Sequence, residues 1–253
     1  MIGTRGVTGR VIVTGMSGTV APALAEVLRM RGGEVVAWDR LAVPPDDRRT
    51  AAGFVRDVRP GALVHCATGS PQWAEDLARV CAAEGMIFVH VSSASVYGTH
   101  QHGPFTVAAV PEPSDDYGRY KLECERLVRA ANPDARILRI GWQIALRRGG
   151  NTMVEHLFRQ QAEQGHVAAS TAWIPACSFV DDTAVALADA IDRAPGVALL
   201  DGNPDWSFWR IASALNTALN GPWVIRASED FRWDNRMRDP ASPCRSIASR
   251  LAD

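Results

Sequence analysis

Val11-Ile12-Val13-Thr14-Gly15-Met16-Ser17-Gly18-Thr19-Val20-Ala21 decides how the rest of the chain is read. The apolar run from Val11 to Val13 ends at Thr14-Gly15 and predicts a buried strand. The glycine turn leads into a helix whose apolar stripe is Val20, Leu24, Val27 and Leu28, closed by Gly32-Gly33. Pro22 is tolerated there because it falls in the first helical turn. Glu34 to Trp38 predicts a second strand, closed by Asp39. Glycines at a strand-to-helix turn let the backbone approach a pyrophosphate, and the helix N-terminus favours its charge. A carboxylate ending the second strand accepts hydrogen bonds from an adenosine ribose. Ala21 stands where a third glycine would complete the usual pattern. A glycine turn alone is often a plain loop. In this order, Gly15, Ser17, Gly18, Thr19, Val20 and Asp39 point to a dinucleotide site.

The alternation continues outward. Arg48 to Val58 reads as a helix stopped by Pro60, and Ala62 to Ala67 as a strand followed by the loop Thr68-Gly69-Ser70-Pro71. Trp73 to Glu84 is helical, and Met86 to Val91 is a strand delivering Ser92 and Ser93. Gly103 to Pro113 is a Pro-containing loop able to cover a site. Asp115 to Ala131 is a helix and Ala135 to Ile140 a strand. This pattern predicts an α/β chain: a Rossmann, doubly wound parallel sheet with helices on both faces. Ligands bind such sheets outside the carboxyl ends of the strands, where Ala67, Thr68 and Ser93 fall.

Beyond about residue 142 the alternation loosens. Helices are expected at Asn151 to Gln164, Phe179 to Arg193 and Phe208 to Leu219, with strands at Val197 to Leu200 and Trp223 to Arg226. No clean linker separates this part. The reading is one domain over 10–253, with a small C-terminal substrate lobe formed mainly by 142–180 and 200–253. Residues 1–9, rich in Gly and Thr, are expected to be flexible.

Bulk properties exclude several classes. The 253 residues are 47% hydrophobic and 22% charged, with a net charge of -1, so nothing electrostatic favours nucleic acid or an anionic membrane. No stretch approaches the ~20 apolar residues of a membrane helix. No apolar run near the N-terminus precedes a cleavage-like site, so no signal peptide is expected. Cys66, Cys81, Cys124, Cys177 and Cys244 are scattered without a C-x-x-C pair, which fits reduced thiols in a cytoplasmic protein. His100 and His102 share a loop, but no third ligand is spaced to suggest a metal.

Tyr117-Gly118-Arg119-Tyr120-Lys121 carries the chemistry. On a helix, Tyr117 and Lys121 lie one turn apart on one face. A phenol keeps its proton to about pH 10, and a neighbouring ammonium is expected to lower that value. Such a tyrosine exchanges a proton with a carbonyl or alcohol oxygen, and the Ser93 hydroxyl can hold the same oxygen. Tyr-x-x-x-Lys alone is common on solvated helices, so its weight comes from the cradle before it.

Taken together, Thr14-Gly15-x-x-Gly18, Val91-Ser92-Ser93-Ala94-Ser95-Val96-Tyr97-Gly98, Tyr117-Gly118-x-x-Lys121 and Phe179-Val180-Asp181-Asp182 resemble the extended short-chain dehydrogenase/reductases. The spacing from Asp39 to Pro60 resembles the dTDP-4-dehydrorhamnose reductases among them. So do Leu138-Arg139-Ile140-Gly141-Trp142 and Gly150-Asn151-Thr152-Met153-Val154. The resemblance implies an NAD(P)-dependent enzyme reducing a keto group of a nucleotide-linked sugar, with Ser93, Tyr117 and Lys121 catalytic. It implies that Ala94, Trp142 and Asn151 meet the substrate. Arg236-Met237-Arg238-Asp239 faintly resembles an element that holds the substrate diphosphate, which makes Arg236 a candidate ligand. Three departures stand out: Pro44-Pro45 replaces an Asp-Ile pair, Ala67-Thr68-Gly69 replaces Ala-Ala-Tyr, and the stretch from Gly69 to Met86 is short. That short stretch lacks a relay asparagine and part of a helix used for dimerisation, so a homodimer stays open.

Asp39 favours NAD by repelling a 2′-phosphate, whereas Arg40 would attract one, so NADP stays open. Two alternatives also stay open: a nucleotide-sugar 4-epimerase with tightly held NAD, and a non-catalytic cofactor-binding regulatory subunit. Tyr97, Tyr120 and the tryptophans other than Trp142, including Trp173, Trp206, Trp209, Trp223 and Trp233, are expected to pack. His65 and His90 read as satisfied core histidines, and Asp181-Asp182 as helix caps.

Overall fold

The computed structural model describes residues 9–146 and 149–251. The expectation of a flexible N-terminus falls on residues 1–8, outside that range, apart from Gly9.

The opening elements are β1 (Arg10–Thr14), α1 (Val20–Met30), β2 (Glu34–Ala37), α2 (Arg48–Val58) and β3 (Ala62–His65). They continue with α3 (Pro71–Ala83), β4 (Ile87–Ser93), α4 (Asp116–Ala131) and β5 (Arg136–Ile140). Local chemistry fixes the helix ends. Asp47 accepts from Thr50 N at 3.0 Å to start α2, and Arg59 closes it in the left-handed region at φ 49°, just before Pro60. Ser70 caps α3 through Trp73 N, with Pro71 in the first turn. Asp115, two residues before Tyr117, accepts from Gly118 N at 2.6 Å and so sets where α4 begins.

The second half contains β6 (Trp142–Ile144), α5 (Met153–Gln164), β7 (Val167–Ser170), β8 (Trp173–Ile174) and β9 (Cys177–Phe179). It ends with α6 (Val180–Ala190), β10 (Gly196–Leu200), α7 (Phe208–Ala218), β11 (Ile225–Ser228), β12 (Trp233–Asp234) and α8 (Ala248–Leu251).

Six strands form one parallel sheet in the order β10-β5-β4-β3-β1-β2. Strand order reverses beside β1, between β2 and β3, and this is the crevice where such sheets bind ligands. One face packs Leu24 and Leu28 of α1 against Leu187 and Ala188 of α6 over β1, β3 and β4. The other packs Val55, Trp73, Leu77, Cys124 and Val128 of α2, α3 and α4. The doubly wound architecture is therefore as expected. Leu77 is 1% exposed; cutting such a residue to Ala costs about 2–5 kcal/mol.

A third apolar cluster joins Ile144, Met153, Leu157 and Phe179 to Trp206, Phe208, Ile211 and Ile247. It is organised by three parallel two-stranded ladders, β6 with β9, β7 with β11 and β8 with β12. Of these strands only β11 was anticipated. The others are two to four residues long, too short for an alternating pattern to stand out.

Two further expectations change. The 103–113 loop does not line the cleft described below. Gly103 N donates to Asp234 O, Phe105 N to Arg236 O, and Arg238 N back to Phe105 O, which ties the loop's start to the chain after β12. Asp181 and Asp182 lie in the first turn of α6 as expected, yet their side chains serve mainly as ion-pair partners. Asp181 pairs with Arg250, and Asp182 with both Arg245 and Arg250.

Candidate active site

Gly15 adopts φ 82°, and a Cβ there would lie 2.9 Å from Ala67 N, so the turn after β1 needs glycine. Gly18 N donates to Gly15 O at 2.8 Å. Thr14 Oγ1 accepts from Cys66 N and Ala67 N, both at 3.1 Å, and so locks this turn to the end of β3. The α1 N-terminus has no side-chain cap and no acid in its first turn. Its free N–H groups suit a phosphate. A cavity of about 400 Å³ opens here, lined by Gly15, Ser17, Gly18, Asp39, Arg40, Ala67 and Thr68, with Trp38 and Trp73. Asp39 accepts from Leu41 N at 2.8 Å through one oxygen. The Arg40 guanidinium donates to Thr68 O and stacks 5.1 Å over the Trp73 ring.

A second cavity of about 670 Å³ shares Gly15, Ser17, Gly18 and Thr68 with the first and runs on to Thr19, Val20, Ser93, Ala94, Tyr117, Lys121, Trp142 and Asn151. The two form one groove from Asp39 to Trp142. Gly150, at φ 70°, brings the lobe against the turn: a Cβ there would lie 2.6 Å from Thr19 Oγ1.

Lys121 is the only lysine in a sequence that carries 27 Lys and Arg together. Arginine serves every other permanent cation. At this buried position the cation is a compact ammonium with three rotatable donors rather than a planar fork. Lys121 is 3% exposed and its Nζ donates to Val91 O at 2.9 Å. Burial draws this ammonium below its ordinary range. Ser93 Oγ accepts from Ser95 N at 3.1 Å and meets Ser95 Oγ at 3.1 Å.

Tyr117 is 48% exposed. Burial of the phenol, with the Asp115 carboxylate nearby, holds it above its ordinary 10.0, and the Ser93 hydroxyl draws it partly back. The expected lowering by Lys121 is absent. The ammonium is engaged with Val91 O and sits 5.9 Å from the Tyr117 ring centroid.

Arg236 is not brought to the groove. Its Nε and Nη2 are held by Asp234 at 2.9 and 2.7 Å, its Nη1 donates to Pro204 O, and it lines neither cavity. Other residues were missed. Trp173, Trp233, His156, Gln143 and Asn235 line the Trp142 end of the groove. Trp173 stacks on Trp142 with centroids 5.9 Å apart and lies opposite Trp233 in the β8–β12 ladder. Two-residue strands leave no periodic trace, so only the density of tryptophans hinted at this wall. Tyr97 and Tyr120 do pack. Tyr97 stacks on Phe105, and the Tyr120 hydroxyl accepts from Gly69 N at 3.1 Å. His65 meets Thr14 Oγ1 at 3.0 Å, as a satisfied histidine should. His90 does not match that expectation: it is buried, both its ring nitrogens lack a partner, and it stacks 5.6 Å from His65.

The profile of the family described as RmlD substrate binding domain matches residues 71–198. The chain is 27% identical over 209 residues to a dTDP-4-dehydrorhamnose reductase of Mycolicibacterium smegmatis, covering 74% of this chain and 62% of that relative's length. It superposes on the dTDP-4-dehydrorhamnose reductase of Bacillus anthracis, solved in complex with NADP, with a TM-score of 0.80 at 18% identity, covering 91% and 90% of the two chains. It also superposes on the UDP-N-acetylglucosamine 4-epimerase of Bacillus cereus, with a TM-score of 0.75 at 19% identity, covering 92% and 91%.

Proposed function

The chain belongs to the RmlD substrate binding domain family, and on that premise we propose that it reduces a keto group of a nucleotide-linked sugar with NAD(P)H. The observation that carries the reading is the convergence of Ser93, Tyr117 and Lys121 on one wall of a groove whose other end is the glycine turn and Asp39.

The residues fit a nicotinamide dinucleotide. The close approach at Gly15 and the open N–H groups of α1 leave a cradle for the pyrophosphate. Asp39 offers a ribose acceptor and Lys121 a donor to the second ribose. When bound, the nicotinamide supplies the hydride. The protein's own part is positional and protic. Ser93 turns its hydroxyl from Ser95 toward the substrate oxygen. Tyr117 gives its proton to the alkoxide that develops there. Burial keeps the phenol protonated until that oxygen needs it. Trp142 and Trp173 form an apolar face on which a sugar ring can lie.

Asp39 favours NADH over NADPH, with Arg40 as the group that would reverse the preference. The test is loss of nicotinamide absorbance on mixing the protein and either cofactor with dTDP- and UDP-linked 4-keto sugars. Turnover that survives Tyr117→Phe would remove Tyr117 from the mechanism. Tighter binding of NADPH than NADH would overturn the cofactor preference.

A further inference from the structure

Glu125 lies one helical turn beyond Lys121 on α4, is 3% exposed and lines neither cavity. Its Oε1 accepts from Arg139 Nε at 2.9 Å and from Ser92 Oγ at 2.5 Å, and its Oε2 accepts from Arg139 Nη2 at 2.7 Å. Arg139 is buried too, and its Nη1 donates to the Tyr97 hydroxyl at 2.8 Å. Ser92 faces Arg139 in the β4–β5 ladder, one step before Ser93 faces Ile140. One carboxylate therefore ties the helix of Tyr117 and Lys121 to the strand of Ser93 and to the strand beside it.

A fully buried ion pair is not in itself a source of stability. Well-packed apolar residues of similar volume often do as well or better. What it places here is a carboxylate one helical turn from Lys121, with the Arg139 guanidinium offsetting part of its charge. The titratable and charged groups around Lys121 and its counter-charge are Tyr117, Tyr120 and Cys124 on its own helix, His65 and Cys66 at the end of β3, His90 on β4, and Arg139 on β5, which is bound to Glu125. Burial pushes the Cys66 thiol up to about 12 and raises that of Cys124, so both stay neutral. Burial likewise holds His65 at about 3 and His90 well below its ordinary range, so neither adds charge near pH 7. The phenols of Tyr117 and Tyr120 are raised by burial. Glu125 is left as the anion that offsets the cost of burying the Lys121 ammonium.

We propose that Glu125 is a positioning residue. Clamped by Arg139 and Ser92, it is the buried counter-charge that keeps Lys121 an ammonium and holds α4 at the depth where Tyr117, Lys121 and Ser93 share one site. Its kinetic consequence rests on the reductase reading, but the charge on Lys121 does not.

The sole lysine makes the test direct. Protein grown with isotope-labelled lysine gives one side-chain signal, and its pH titration reads Lys121 alone. Glu125→Gln is expected to lower that midpoint by about one unit or more. It is also expected to cut kcat at least about tenfold, with cofactor Kd changed less than about threefold. If Glu125→Gln fails to fold, the apolar double variant E125L/R139M, which removes the carboxylate together with its paired cation, is expected to lower the midpoint in the same direction by a smaller amount, about half a unit or more. A midpoint that stays within about 0.3 unit of wild type in the folded variant overturns the proposal. A wild-type protein that turns over no keto sugar counts against the reductase reading instead, and the lysine titration still decides the role of Glu125.

Discussion

The Lys121 ammonium donates to the carbonyl oxygen of Val91 at 2.9 Å, and this bond joins the middle of α4 to the last turnward stretch of β4. It sets the lysine's height above the sheet before any ligand arrives. It also explains why the phenol one turn earlier is not lowered by it.

Replacement of Lys121 by Arg is therefore not conservative. A guanidinium is wider and cannot reach Val91 O along the same line. Lys121→Arg should lower kcat/KM by at least about 100-fold, or about 2.7 kcal/mol in transition-state stabilisation. Steady-state kinetics beside a thermal midpoint within a few degrees of wild type would check this. Near-normal kcat/KM would show that any cation suffices.

Gly15→Ala should weaken the cofactor cradle. The added Cβ would meet Ala67 N at 2.9 Å in a backbone region that L residues avoid. A loss of about 1 kcal/mol or more in stability is expected, with cofactor affinity falling by about tenfold because the turn must shift. Tryptophan-fluorescence titration with NADH or NADPH measures it. Unchanged affinity would place the dinucleotide elsewhere.

Trp173→Ala should raise KM for the keto substrate by about tenfold while leaving cofactor Kd unchanged. The variant removes half of the Trp142–Trp173 stack and none of the turn. A fall in kcat with KM unchanged would move Trp173 from substrate face to scaffold.

Stability should fall in acid through two histidines. Burial holds His65 down at about 3 and His90 well below its ordinary range, so both are neutral in the folded protein. In the unfolded chain each takes up a proton near pH 6.5. The stabilisation is whole above that pH and is lost as pH falls from there toward the folded values. Each histidine contributes a slope of about 1.4 kcal/mol per pH unit. Urea unfolding from pH 7 to pH 4 gives the slope, and His90→Leu should reduce it by the share of one group. An unchanged slope in that variant would mean His90 is protonated in the fold.

The first half of the molecule was legible because its signals are long. Val11 to Val13, Leu63 and Val64, and Phe88 and Val89 are continuous apolar runs buried on both faces. Asp47, Ser70 and Asp115 announce their helices by side chains that bond to the backbone. The cleft's cofactor end inherited that clarity, since its residues follow strands directly. The substrate end did not. Trp173 and Trp233 reach the groove through a two-residue ladder whose partner strands lie far apart in sequence. Arg236 carried a plausible motif, but its carboxylate partner Asp234 lies two positions away and takes both of its forks. The partnerless ring of His90 and the clamp on Glu125 depend on which side chains meet across three strands and a helix, which no local pattern records.

The central claim is hydride delivery to a carbonyl beside Tyr117, and isotope transfer tests it most directly. With nicotinamide cofactor deuterated at the transferable position, the protein and a nucleotide-linked 4-keto sugar should give an alcohol carrying one deuterium at the former carbonyl carbon. The Tyr117→Phe variant should bind the same cofactor and give almost none. Wild-type product without deuterium, or deuterium transfer undiminished in the variant, would contradict the account.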